Sequence, residues 1–184
     1  MTPQRDNKKQ GGTARLTRLA LLTAIALTIF MAEAQLPPLV PIQGVKLGLA
    51  NIVTVYAVFV LGPGDALLIL CARVFLGAVF SGQMMTLLYS AGGGLLAWAV
   101  MAGLSRILTV KQLWLASPLA AVFHNLGQLL VAAGVMKSWA VMAFLPWLLI
   151  SGVVTGLFTG LRAQFLIARL ERISRGKDSG TKED

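Results

Sequence analysis

Apolar runs, set end to end through most of the chain and each about long enough to cross a hydrocarbon layer, constrain this sequence more than any other feature. A helix rises about 1.5 Å per residue, so roughly 20 apolar residues span a core about 30 Å thick. Runs bounded by Pro, Gly or charge predict six helices, over about 16–36, 46–62, 65–82, 84–106, 115–136 and 139–165. They use up most of the 184 residues and leave no soluble catalytic domain over. Only 12% of residues are charged, half the share of a soluble domain. The fold expected is an all-α, six-transmembrane-helix bundle over 16–165, with a basic tail at 1–15 and a charged tail at 166–184.

The second run is the shortest. Before it, "QLPPLVPIQG" holds Pro37, Pro38 and Pro41, which predict an extended or re-entrant connection rather than helix. Charge predicts the orientation. With both termini cytoplasmic, thirteen cations lie inside: Arg5, Lys8, Lys9, Arg15, Arg18, Arg106, Lys111, Arg162, Arg169, Arg172, Arg175, Lys177 and Lys182. Lys46 and Lys137 lie outside. The net charge of +9 therefore calls for no nucleic acid. Both tails read as solvated and disordered. A competing reading makes the first run a signal peptide, with "LALLTAIALTIFM" ahead of a small-residue "AEA" at 32–34. Glu33 inside that motif and the prolines beyond it weigh against cleavage.

Two glycine features read as close helix packing: Gly92, Gly93 and Gly94 in the fourth helix, and Gly152, Gly156 and Gly160 at four-residue spacing in the sixth. A flat glycine face also lets a ligand approach backbone. Sorted by depth, the polar residues fall toward the outer half. Glu33 and Gln35 end the first helix, Lys46 and Asn51 begin the second, and Gln83 ends the third. Arg73 and His124 lie near mid-depth, with Asn125 and Gln128 close by, while the inner halves hold almost no such groups. The pattern predicts a polar cavity opening outward.

Each member also has a structural role open to it. Lys46 is placed to snorkel toward headgroups, His124 to bridge two helices, and Arg73 to pair with Glu33. An arginine at mid-bilayer costs about 2.5–3.5 kcal/mol on insertion scales, which makes it a functional candidate by default. Its planar fork suits a carboxylate or phosphate. The chain has no G-x-x-x-x-G-K-[ST], G-x-S-x-G or H-E-x-x-H motif. Only Glu33 and Asp65 are acidic between residues 16 and 165, too few for a Mg²⁺-diphosphate site. Cys71 stands alone, so no disulfide or thiolate site is available. Binding or translocation is expected, with neither catalysis nor a cofactor.

The runs "GVKLGLANIVTVYAVFVLG", "ALLILCARVFLGAVFSG", "YSAGGGLLAWAVMAGL" and "AVFHNLGQLLVAAG" resemble the Gx transporter family, also described as heptaprenyl diphosphate synthase component I. The matching positions are Gly44, Lys46, Gly48, Asn51, Arg73, Gly77, Gly92, Gly93, His124, Asn125, Gly127 and Gln128. That family is in turn similar to the S components of energy-coupling factor transporters. The resemblance implies a bundle in the plasma (inner) membrane with both ends cytoplasmic. It also implies capture of a small molecule from outside, and dependence on a coupling membrane subunit and two ATPases. Substrate contacts are expected from Arg73, Lys46, Asn51, His124, Asn125, Gln128 and Glu33. Ala20 and Ala24, four apart on the first helix, match the small-residue spacing that S components use to dock the coupling subunit. Two other readings remain open, a non-catalytic membrane component of isoprenoid or quinone biosynthesis and a stand-alone channel or carrier.

Reporters fused to the two termini are expected to read cytoplasmic, and one inserted in 37–43 external. A periplasmic N-terminus would overturn the orientation and revive signal-peptide cleavage.

Overall fold

A computed structural model describes residues 12–36 and 49–180, with side chains as far as residue 169. Every regular element among them is helical: α1 (Gly12–Glu33), α2 (Asn51–Val60), α3 (Pro63–Ser81), α4 (Met84–Leu104), α5 (Leu113–Met136) and α6 (Leu145–Gly180). Short 3-10 turns at Val110–Gln112 and Trp139–Phe144 lead into α5 and α6. The boundaries follow local chemistry. Pro63 opens α3 at a position where its missing N–H costs nothing, directly after Gly62, whose φ of 102° suits glycine. Gly82 closes α3 in the left-handed conformation. Thr109 and Gln112 form a reciprocal capping box ahead of α5.

Five stretches are long and apolar enough to cross a membrane: Gly12–Glu33, Pro63–Ser81, Met84–Leu104, Val110–Met136 and Trp139–Arg169. The second expected helix differs. Residues 49–50 form a turn and α2 has only 10 residues, a rise of about 15 Å, half of a hydrocarbon core. Residues 46–48, and the expected 37–43 connection, lie outside the described residues. Val53, Thr54, Val55, Ala57 and Val58 are all buried, and α2 packs against α1, α3, α4 and α6. A short helix apolar on nearly every side is an internal element, enclosed by its neighbours rather than by lipid.

Arg15 on α1 bonds Asp65 on α3, Nε to Oδ1 at 3.1 Å, which sets the starts of those two helices at one end of the bundle. α3 thus starts at the end where α1 begins. Trp98 of α4 donates to the Pro63 carbonyl at 2.9 Å, fixing the α2–α3 corner. With α3 to α6 alternating in direction, the first and last described residues share that end. So do Arg15, Arg18, Arg106, Lys111, Arg162 and Arg169, whereas Lys137 lies at the other. The helix α6 runs 36 residues, about 54 Å, into the stretch read from the sequence as a disordered tail. Its Ala, Leu, Arg and Glu residues are strong helix formers, and no proline follows Pro146 in its first turn.

The glycine faces do pack helices closely. A Cβ on Gly156 would lie 2.4 Å from Pro118 Cα, one on Gly160 2.7 Å from the Leu113 carbonyl, and one on Gly127 2.6 Å from the Gly92 carbonyl. The backbones of α4, α5 and α6 therefore meet directly. Two apolar clusters divide the interior. One, toward the cationic end, includes Ala26, Val53, Ile69, Met101, Leu113 and Ile167. The other includes Tyr89, Leu129, Ala132, Val141 and Leu148.

Replacing Gly156 by Ala forces α5 and α6 apart and is expected to cost about 1–3 kcal/mol. Gly103 has nothing within 4 Å of an added Cβ. Gly103→Ala is expected to be neutral or to gain up to about 1 kcal/mol. Unfolding midpoints of the two variants in detergent check this; equal losses would show that the glycine seam is not what α5 and α6 depend on.

Candidate functional site

Between the two apolar clusters lies a polar layer, assembled from helices distant in sequence. Arg73 sits mid-way along α3, only 2% exposed. It follows Leu70 by three residues, and Leu70 in turn packs against Gly94 of α4. On α5, His124 and Gln128 are one turn apart on one face, and both meet Gly93, where a Cβ would lie 3.0 Å from His124 Cε1 and 2.8 Å from Gln128 Cγ. The Gly93–Gly94 step thus admits side chains from α3 on one side and α5 on the other. Glu33, at the end of α1, is buried and accepts a hydrogen bond from the Leu49 amide at 2.9 Å.

Arg73 shares the layer with the opposite charge of Glu33. Its Cζ also lies 5.8 Å from the centroid of the Phe30 ring, and that ring fills the space beside Gly77. What distinguishes the layer is its unused hydrogen-bonding capacity. Arg73 Nε and Nη2, His124 Nδ1 and Gln128 Oε1 are buried and have no hydrogen-bond partner among the described residues. Buried polar groups are ordinarily paired, since leaving one unmade costs about 1–3 kcal/mol. Nε and Nη2 form one edge of the guanidinium, two parallel donors that match the two oxygens of a carboxylate or phosphate.

Of the residues expected at the site, Arg73, Glu33, His124 and Gln128 come together in this layer. Asn51 is the first residue of α2, its Oδ1 buried and unpartnered. Asn125 faces α6 instead, donating to the Leu148 carbonyl at 2.6 Å. Gln83 is exposed and accepts from Thr86 Oγ1 at 3.1 Å, an interaction within the start of α4. Lys46 lies outside the described residues. Ala20 and Ala24 are exposed on α1.

Sequence reasoning missed Phe30, whose part as a ring beneath Arg73 has no motif, only its position one turn before Glu33. It also placed almost no polar groups in the inner half. Ser117 and Thr159 are hydrogen-bonded there at 2.9 Å between α5 and α6, and Gln164 Oε1 is buried without a partner. Among the described residues no three His, Cys, Asp or Glu side chains gather as a metal site would require.

A bundle of membrane-length helices with an ionisable cluster enclosed at mid-depth defines a multi-pass membrane protein with an internal polar site. The chain belongs to the family described as heptaprenyl diphosphate synthase component I, whose model matches residues 22–166. That stretch holds every residue of the polar layer. No curated protein and no solved structure matches the chain.

Removing one member of a buried charge couple strands the other, at a cost of about 3–5 kcal/mol. Glu33→Gln alone is expected to lose stability on this scale, and Glu33→Gln with Arg73→Gln to lose less than the sum of the two single changes. Unfolding midpoints of the three variants in one detergent measure the coupling; strict additivity would show that Arg73 and Glu33 act independently.

Proposed function

We propose that this protein is the substrate-binding membrane subunit of a transporter. In this reading it captures a small anionic molecule from the outer face and takes energy from a separate ATPase module through a coupling membrane subunit. The observation that carries the reading is the Arg73 edge, a permanent cation with two donors unclaimed among the described residues, enclosed at mid-depth. Intramembrane ionisable residues of this kind mark substrate or ion paths by default. His124 Nδ1 and Gln128 Oε1 are buried groups able to accept hydrogen bonds. They suit a ligand that carries N–H or O–H groups as well as its anion. Lys46 and Asn51 are the further contacts of this site, with Asn125 shaping its wall toward α6.

The orientation that goes with this reading puts the cationic end of the bundle in the cytoplasm and the chain in the plasma (inner) membrane, in line with the positive-inside rule. α2 then lies in the inner half of the bundle. The chain itself performs no chemistry and needs no cofactor. Its exposed Ala20 and Ala24 lie toward the cytoplasmic end of α1 and face away from the core. Small residues there let a partner helix approach closely, where packing is the main attraction in lipid.

The family description favours a second reading, a non-catalytic membrane component of isoprenoid or quinone biosynthesis. Co-purification separates the two: ATPase and coupling subunits support the transporter, a soluble prenyl synthase the alternative.

Arg73→Lys keeps the charge that faces Glu33 but loses the planar fork. It is expected to lose at least tenfold in ligand retention with the fold intact, read by native mass spectrometry of gently purified protein. Undiminished retention would return Arg73 to a structural role. Replacing both Ala20 and Ala24 by Leu is expected to stop cellular uptake while retention survives. Normal uptake would move the docking surface elsewhere, and a joint loss of retention would show that this face serves folding or binding.

A further inference from the structure

We propose that the lipid-facing side of α6 carries a binding site for anionic phospholipid headgroups, built from Phe158, Arg162, Phe165 and Arg169. Intervals of four, three and four residues put these positions on one stripe of the helix. All four are exposed, whereas Gly156, Thr159, Gly160, Ala163 and Ile167, on the opposite side, are buried against the bundle. The stripe therefore looks outward.

Each arginine lies over the ring one turn before it. Arg162 Cζ is 5.0 Å from the Phe158 centroid and Arg169 Cζ 5.5 Å from that of Phe165. The ring restrains a side chain that would otherwise sweep widely, and leaves the guanidinium's N–H groups to other partners. The level is set independently of any orientation. Packing along α6 runs from Gly160, against Leu113 at the start of α5, to the buried Ile167, so Arg162 and Arg169, about 10 Å apart along the axis, stand at the cationic end of the bundle. Over that distance hydrocarbon gives way to headgroups. Phe158 and Phe165 are thereby placed to meet acyl chains, and the two guanidinium groups to meet phosphates.

A phosphodiester offers one negative charge and two free oxygens, which a guanidinium fork engages in bidentate fashion. Phosphatidylcholine brings the same phosphate but a compensating quaternary amine, so the site selects singly charged lipids such as phosphatidylglycerol. No Asp or Glu occurs between residues 66 and 170, so no acidic side chain from that stretch competes for the two cations.

The test uses the full chain in phosphatidylcholine nanodiscs, with dioleoyl phosphatidylglycerol titrated in and retained lipid counted by native mass spectrometry. Arg162→Gln with Arg169→Gln is expected to weaken phosphatidylglycerol retention about fivefold per arginine. Phe158→Leu with Phe165→Leu, which keeps both charges, is expected to weaken it about two- to fivefold. Arg106→Gln, at the same end and off the stripe, should change it by less than twofold. The proposal is overturned if the double Gln variant retains phosphatidylglycerol like the wild type. Equal retention of phosphatidylcholine by the wild type would overturn it too. So would an Arg106→Gln loss as large as that of the double variant, which would mean diffuse interfacial charge and no built site.

Discussion

A guanidinium enclosed at mid-bilayer depth is the constraint around which the bundle is arranged. Hydrocarbon offers Arg73 neither water nor a counter-charge, so neighbouring helices must supply both polarity and enclosure. Glu33 at the end of α1 brings the opposite charge into the layer, Phe30 lies beneath Arg73, and His124 and Gln128 approach from α5. Side chains from three helices converge only because the fourth stands aside. Gly93 and Gly94 remove the bulk that α4 would otherwise put between α3 and α5. The glycine step and the buried cation are two parts of one solution.

The same logic accounts for α2. Backbone that is not helical is tolerated at membrane depth only where protein or a water-lined cavity surrounds it. With Asn51 starting the helix about 15 Å from its other end, its first amides fall at the depth of the polar layer. Four helices enclose it, and the Glu33 carboxylate accepts from Leu49 at its start. A full-length helix in this place would carry its own amides past the layer fully bonded. Stopping it half-way turns the positive end of its dipole toward the site.

Much of this was legible in the sequence, for identifiable reasons. Span lengths, the glycine seams and the candidacy of Arg73 each follow from a rule that acts on one segment at a time: hydrocarbon thickness, backbone contact, the cost of a buried charge. Where two segments decide together, the sequence was silent or misleading. The run at 46–62 is apolar enough to read as a span, and only the packing of four helices around it shows that ten residues of helix suffice. Asn125 and His124 are neighbours, yet their side chains part, one to the α6 backbone and the other to the polar layer. Depth sorting cannot separate them, since they share a level and differ only in azimuth. Gln164 escaped notice for the opposite reason, being a single polar residue in a long apolar helix whose buried face becomes visible only with its neighbours in place.

Charge balance within the polar layer bears on what it is built to hold. Arg73 and Glu33 nearly cancel, so an anion brought to the free edge of Arg73 would leave the layer with a net negative charge unless something else offsets it. The start of α2 supplies that offset. A helix N-terminus acts as about half a positive charge, and Glu33 already bonds to it through Leu49. The carboxylate is held by the α2 end and leaves the Nε and Nη2 edge of Arg73 unoccupied, so an incoming anion has no carboxylate to displace there. An aspartate or glutamate bonded to Arg73 alone would have to be expelled or protonated first. Anchoring Glu33 at the helix end keeps a counter-charge in the layer with Arg73 when no anion is present, and still leaves Nε and Nη2 for one.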